Sequence, residues 1–218
     1  MTREEGLELV KIMLQNQNLV KHCLAVEAIM RAVCRELRDC HPELIASHPR
    51  PDRGSSLDSR LRGNDNDNIV NEFDVEEWGL VGLLHDADYE ITNKDLETHT
   101  DIIVEKIKEM GGSERLINGV LAHHDLKKPE RENYLEKAVY ATDELSGLIT
   151  ACALVRPDKK LASLSVDSVM KKFKQKEFAA GAKRHQILKC EEELGIPLQE
   201  FVAIALSAMQ NISDDLGL

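Results

Sequence analysis

The sequence predicts a compact all-α domain. Apolar residues recur at three- and four-residue spacing along most of the chain, and no stretch alternates apolar and polar residues as a half-buried strand would. Aromatic residues make up only 4% of the 218, whereas β-sandwiches and barrels are built on aromatic strand formers. Hydrophobic residues at 42% are enough for a sizeable core. The absence of a sustained heptad points to a globular bundle instead of a coiled coil. The length suits one domain spanning 1–218.

The elements follow in order. Thr2 and Glu5 have the spacing of a capping box, a hydroxyl for orphan amides with a carboxylate three residues on, and open a helix to about Leu14. Asn18 precedes a long helix to about Arg38, with Leu19, Cys23, Val26, Ile29, Met30, Val33 and Leu37 on its apolar stripe. Asp74 and Glu77 repeat the capping spacing before a helix through Trp78, Leu80, Val81, Leu83 and Leu84. A helical pattern runs from Asp95 to Met110 and ends at Gly111-Gly112; Ser113 can cap the next one, to about His124. A longer helix is expected over Asn133–Val155, stopping before Pro157. Three more are expected over Ser165–Phe178, Ala180–Leu194 and Pro197–Leu216.

One interval breaks the pattern. Residues 39–73 hold three of the six prolines, an Asn-Asp-Asn-Asp-Asn run at 64–68 and few apolar residues. They are expected to form a flexible insertion in the domain. A fourfold longer loop adds only about 1 kcal/mol of closure entropy, so helices on either side can still pack together. His41 and His48 lie in this interval and are expected to be non-functional.

Charge narrows the partners. The net charge of −11 argues against a general nucleic-acid or anionic-membrane binder. The charge is uneven: Arg156–Lys189 holds ten Lys or Arg against three Asp or Glu, so it carries +7 and the rest −18. This run is expected to steer a small phosphorylated substrate, with Lys171, Lys172, Lys174, Lys176 and Arg184 as candidate contacts. The longest apolar runs, Gly79–Leu84 and Gly147–Val155, are far too short to span a bilayer. Five cysteines, at 23, 34, 40, 152 and 190, form no CxxC pair and read as reduced thiols of a cytoplasmic protein.

The chemistry lies in the histidines and aspartates. His22 shares a stripe with Leu19, Val26, Ile29 and Val33. His85-Asp86 ends the run Leu80-Val-Gly-Leu-Leu, His99 falls between Leu96 and Ile103, and His123-His124 ends a helix. Asp143 lies mid-helix in an apolar segment beside Tyr140 and Gly147. Any one of these alone reads as a satisfied core polar group. A carboxylate carried into an apolar interior must be paired, protonated or bound to a cation. Imidazoles and carboxylates from several helices together make a nitrogen/oxygen ligand set for a borderline divalent ion.

The order His22 … His85-Asp86 … His99 … His123 … Asp143, with Leu-Leu-His-Asp-x-Asp-Tyr-Glu at 83–90 and Ala-Thr-Asp-Glu-Leu-Ser-Gly-Leu at 141–148, resembles the HD superfamily of metal-dependent phosphohydrolases. The closer likeness is to the small, single-domain HDIG-type members, over nearly the whole chain outside 39–73. The four-letter signature reads His85-Asp86-Ala87-Asp88 here, without its glycine. The resemblance implies an all-helical HD-like bundle and one or two divalent ions (Mn, Fe, Co, Ni, Zn or Mg). It places His22, His85, Asp86 and Asp143 on one ion. Asp86 would bridge to a second, held by His99 and His123 with His124 as a further ligand. In the activity implied, metal-activated water hydrolyses a small phosphate ester such as a nucleotide, with Asp86, His99 or His123 moving the proton. The same ligand order also serves dinuclear iron oxygenases, and a non-catalytic nucleotide-sensing module is the third alternative.

Overall fold

Helix α2 (Gln17–Cys40) is the spine of one half of the molecule. In the computed structural model, which describes residues 1–41 and 72–218, its stripe from Val20 to Leu37 is buried. Helix α3 (Val75–Leu84) packs along it and is itself buried from Trp78 to Leu84. Gly82 permits the close approach, because a Cβ there would lie 2.8 Å from the backbone of Val26 and Glu27. Helix α1 (Arg3–Met13), opened by the expected Thr2–Glu5 capping box, packs on α3. Buried Glu27 ties the three together: it accepts from Arg3 and Arg31, and Arg31 also pairs with Glu76.

Helices α4 (Asp101–Glu109), α5 (Glu114–Ala122) and α6 (Tyr134–Leu154) follow. The last is the central helix, buried along most of its length between α2 and α5 and the C-terminal helices. Those are α7 (Val166–Phe173), α8 (Arg184–Ile187), α9 (Lys189–Leu194), α10 (Leu198–Asn211) and α11 (Ser213–Leu216). Among the described residues there is no strand, and no helix is long and apolar enough to cross a membrane. Cys23, Cys34, Cys152 and Cys190 are buried free thiols whose pKa burial pushes up, which suits packing and not nucleophilic attack.

Five boundaries differ from expectation, one of them the helix expected over Pro197–Leu216, which breaks at Ile212 (φ −116°, ψ 21°) into α10 and α11. Asn16, not Asn18, caps α2, accepting from the Asn18 amide. Asp39 and Cys40 belong to α2 and Phe73 is in the core, so helix and core reach into both ends of the interval 39–73; His48 lies outside the described residues. His41, at the α2 C-cap, stacks on Tyr134. The helix expected over 95–110 is only α4, because residues 85–100 run in turns and Thr100 adopts φ 77°. The spans expected at 165–178 and 180–194 are interrupted between α7 and α8. There the five N–H groups of the Arg184 guanidinium donate to the carbonyls of Phe173, Gln175, Phe178, Ala179 and Ala182. The Gln175 and Ala179 carbonyls also accept from the Phe178 and Ala182 amides, so the guanidinium adds its donors to those of a turn and not of a continuing helix.

Candidate metal centre

Five elements meet at one point. His22 comes from the first turns of α2, which Asn16 caps, and Asp143 from the middle of α6. His85 is the C-cap of α3, still with helical dihedrals, and Asp86 follows it; their side chains nonetheless converge, with Asp86 Oδ2 3.7 Å from His85 Nε2. His99 sits in the turn before α4, not on a helix, and His123 is the C-cap of α5. Glu90 fastens the turn region to the rest by accepting from the Gln15 and Asn16 amides.

The donor atoms form two sets joined by Asp86. In the first, His22 Nε2 lies 3.2 Å from His85 Nε2, 3.0 Å from Asp143 Oδ1 and 3.5 Å from Asp86 Oδ2. In the second, His99 Nε2 lies 2.9 Å from His123 Nε2 and 3.1 Å from Asp86 Oδ1. The two oxygens of Asp86 thus face different imidazole pairs. His22, His85 and Asp86, and separately Asp86, His99 and His123, have ligand atoms close enough to share an ion.

The outer nitrogens fix what the inner ones can do. His85 Nδ1 donates to the Gly82 carbonyl at 2.8 Å and His123 Nδ1 to the Val120 carbonyl at 2.6 Å. His99 Nδ1 donates to Asp88 Oδ1 at 2.8 Å, and His22 Nδ1 to Ser146 Oγ at 3.0 Å, whose own proton goes to the Asp143 carbonyl. Each ring is therefore held in the tautomer that turns an Nε2 lone pair inward. Lone pairs facing one another beside two carboxylates need a cation between them. A divalent metal fits this donor set.

Protons answer the same need in its absence. Burial works against charging His22, but Asp143 and Asp86 outweigh it and raise its pKa to about 9. His99 is likewise raised to about 9 against burial, by Asp86 and Asp88. Burial and then the neighbouring His85 lower His123 to about 4. Burial disfavours ionising Asp86 and Asp143, yet the surrounding imidazoles hold both carboxyls well below the usual range.

Above the second set lies a cavity of about 150 Å³ that also exposes Tyr89, Leu96, His124, Glu144, Lys183 and Gln186. His124 Nδ1 is buried without a hydrogen-bond partner, and its ring centroid is 6.1 Å from those of both His99 and His123. Of the expected cationic contacts, Lys171, Lys174 and Lys176 are exposed on the surface outside this lining. Lys172 donates to Gln175 and stands over the Phe178 ring, and Arg184 holds the 174–183 turn. Lys183, from the same basic run, is the cation at the rim; its ammonium pairs with Glu144 Oε1 at 3.6 Å and its backbone amide donates to the same carboxylate at 3.0 Å.

Asp88 was not among the expected site residues. It is fully buried and, besides orienting His99, accepts from the amides of Thr100, Ile102 and Ile103 at the start of α4. Its signal in the sequence is the second carboxylate two places after Asp86, at the end of a buried run.

The HD domain family model matches residues 19–148. That interval contains His22, His85, Asp86, His99, His123 and Asp143. No curated protein and no solved structure matches the chain.

Proposed function

The chain belongs to the HD domain family, and from that premise we propose that it is a metal-dependent phosphoric ester hydrolase of the small, single-domain HDIG kind. Its substrate is a small phosphate ester. The observation that carries this reading is the double role of Asp86, one carboxylate oxygen beside His22 and His85, the other beside His99 and His123. When bound, divalent ions on these ligands would supply an activated water and neutralise charge on the phosphoryl group.

The residues around the ligands have their own parts. Lys183 at the rim binds a non-bridging phosphoryl oxygen and supplies positive charge as the transition state forms. His123, its Nδ1 held by the Val120 carbonyl, would be a ligand of the second ion together with His99 and Asp86. Asp88 and Ser146 do not reach the substrate; they keep His99 and His22 turned inward.

The test is elemental analysis of the purified protein, then a phosphate-release screen over nucleotides and sugar phosphates with Mn, Co, Ni and Mg. Bound metal and metal-dependent phosphate release are expected. Two bound irons with an oxygen-dependent reaction and no phosphate release would instead identify an oxygenase.

A further inference from the structure

A cavity of about 520 Å³ begins where the metal ligands end. His22 forms part of its wall, with Asn18 and Lys21 beside it on α2, Gly147, Thr150 and Leu154 on α6, and Leu216 on α11. A second cavity of about 260 Å³ shares His22 and Gly147 with the first and has Asp143 of the metal centre and Glu144 in its wall. Along α6 the residues Asp143, Gly147, Thr150 and Leu154 follow at four-, three- and four-residue spacing, which puts them on one face. The groove therefore starts at a metal ligand and runs along α6 for a helical rise of roughly 16 Å. That is far longer than a phosphate group.

Gly147 stands at the junction. It is exposed in mid-helix, and a Cβ there would meet nothing within 4 Å. Packing does not demand a glycine, and glycine weakens a helix interior. The space above it is what the missing side chain preserves. The walls beyond are mainly aliphatic, at Leu154, Leu216 and Leu218, with polar groups at Asn18 and Thr150 and one charged group at Lys21. Neither cavity is lined by Phe, Tyr or Trp, so there is no platform on which a nucleobase would stack.

We propose that this groove binds the organic part of the phosphate ester, and that this part is an extended, mainly aliphatic chain. The proposal rests on the hydrolase reading for the end at which the phosphate sits. The groove itself can be tested separately.

The test compares n-alkyl phosphates from ethyl to decyl, and nucleoside 5′-monophosphates, as substrates of the metal-loaded protein. kcat/KM is expected to rise by up to about fourfold per added methylene, the limit set by burying one such group. It should level off once the chain outgrows the groove. Gly147→Leu fills the junction and should flatten the series at unchanged metal stoichiometry. Leu154→Asp, at the exposed far end, should weaken only the longer members. A flat series in the wild type, an unaltered slope in Gly147→Leu, or a preference for nucleoside monophosphates would overturn the proposal. If no ester is hydrolysed, the same series of alkyl phosphonates is measured by calorimetry. Affinity that grows with chain length and is flattened by Gly147→Leu would uphold the groove and sink the hydrolase reading; flat affinity would sink the groove.

Discussion

Asp88 Oδ1 accepts from His99 Nδ1 at 2.8 Å, while the same carboxylate caps the first amides of α4. One fully buried side chain thus sets both the direction of a metal-facing imidazole and the start of a helix. The HDIG signature has glycine at this position, so the departure is a carboxylate with defined partners. Asp88→Gly, which restores only that glycine, is expected to lose affinity at the His99–His123 set by roughly 10–100-fold, the range for removing an outer partner of a metal-ligating histidine. It also leaves buried amides unpaired, at about 1–3 kcal/mol each. Urea unfolding and metal titration of the same variant check both; unaltered affinity for a second ion would show that Asp88 serves the helix alone.

The division of Asp86 between two imidazole pairs makes the two aspartate ligands unequal. Asp86→Ala should lose metal from both sets. Asp143→Ala, which faces only His22 and His85, should leave the His99–His123 set able to bind. Both should abolish turnover with helix content retained. Elemental analysis and circular dichroism decide the matter, and full metal content in both variants would refute the ligand assignment.

Most of this arrangement is legible in the sequence. His22, His85, Asp86, His99, His123 and Asp143 are distinct residue types placed on or at the ends of apolar stripes, so order and periodicity bring them to a common interior. The parts that are not legible depend on carbonyls and turns. The 95–100 stretch has helical apolar spacing, yet the Asp88 carboxylate starts the helix later and leaves His99 in a turn. Arg184 reads as one more surface cation, although its donors are used by backbone carbonyls of a turn whose path no periodicity encodes. Lys183 reaches the cavity for the same reason, and its neighbours in the basic run do not.

The raised histidines give the metal-free protein a pH signature. His22 and His99 go from 6.5 in the unfolded chain to about 9 in the fold, because their carboxylate neighbours outweigh burial. A raised pKa contributes stability that is fully present below 6.5 and is lost as pH rises through about 9. The melting temperature of chelator-treated protein should therefore fall between these values. Metal affinity should rise across the same window, since the ion displaces those protons. A flat melting profile from pH 6.5 to 9, or an equal slope in His22→Gln, would contradict this account.

Gly82 couples fold to site. A Cβ at this position would press on the backbone of Val26 and Glu27 at 2.8 Å, so Gly82→Ala has to push α3 away from α2. The expected destabilisation is about 1–3 kcal/mol, typical of overpacking. The same shift parts His22 on α2 from His85 at the end of α3. Metal affinity at that pair should drop while the His99–His123 pair, carried by other elements, keeps its own. Calorimetric titration resolving two binding events would test this; equal weakening of both would mean that α3 moves as one body with the turns that follow it.

The Arg184 guanidinium gives the final case. Its donors hold the carbonyls of the 174–182 turn, and Lys183 follows directly. Arg184→Lys keeps the charge but replaces a planar fork of five donors with one ammonium, so the five carbonyls lose the side chain that gathers them, and only those of Gln175 and Ala179 keep a turn amide as donor among the described residues. The turn should loosen, and with it the placement of Lys183. KM for the phosphate substrate should rise while metal stoichiometry stays, because none of the metal-facing residues lies on this turn. Lys176→Ala, which removes an exposed charge from the same turn, should leave KM nearly unchanged. Steady-state kinetics of the two variants separates the explanations. If Lys176→Ala raises KM as much as Arg184→Lys does, the basic run acts through its net charge and the turn architecture is irrelevant to substrate binding.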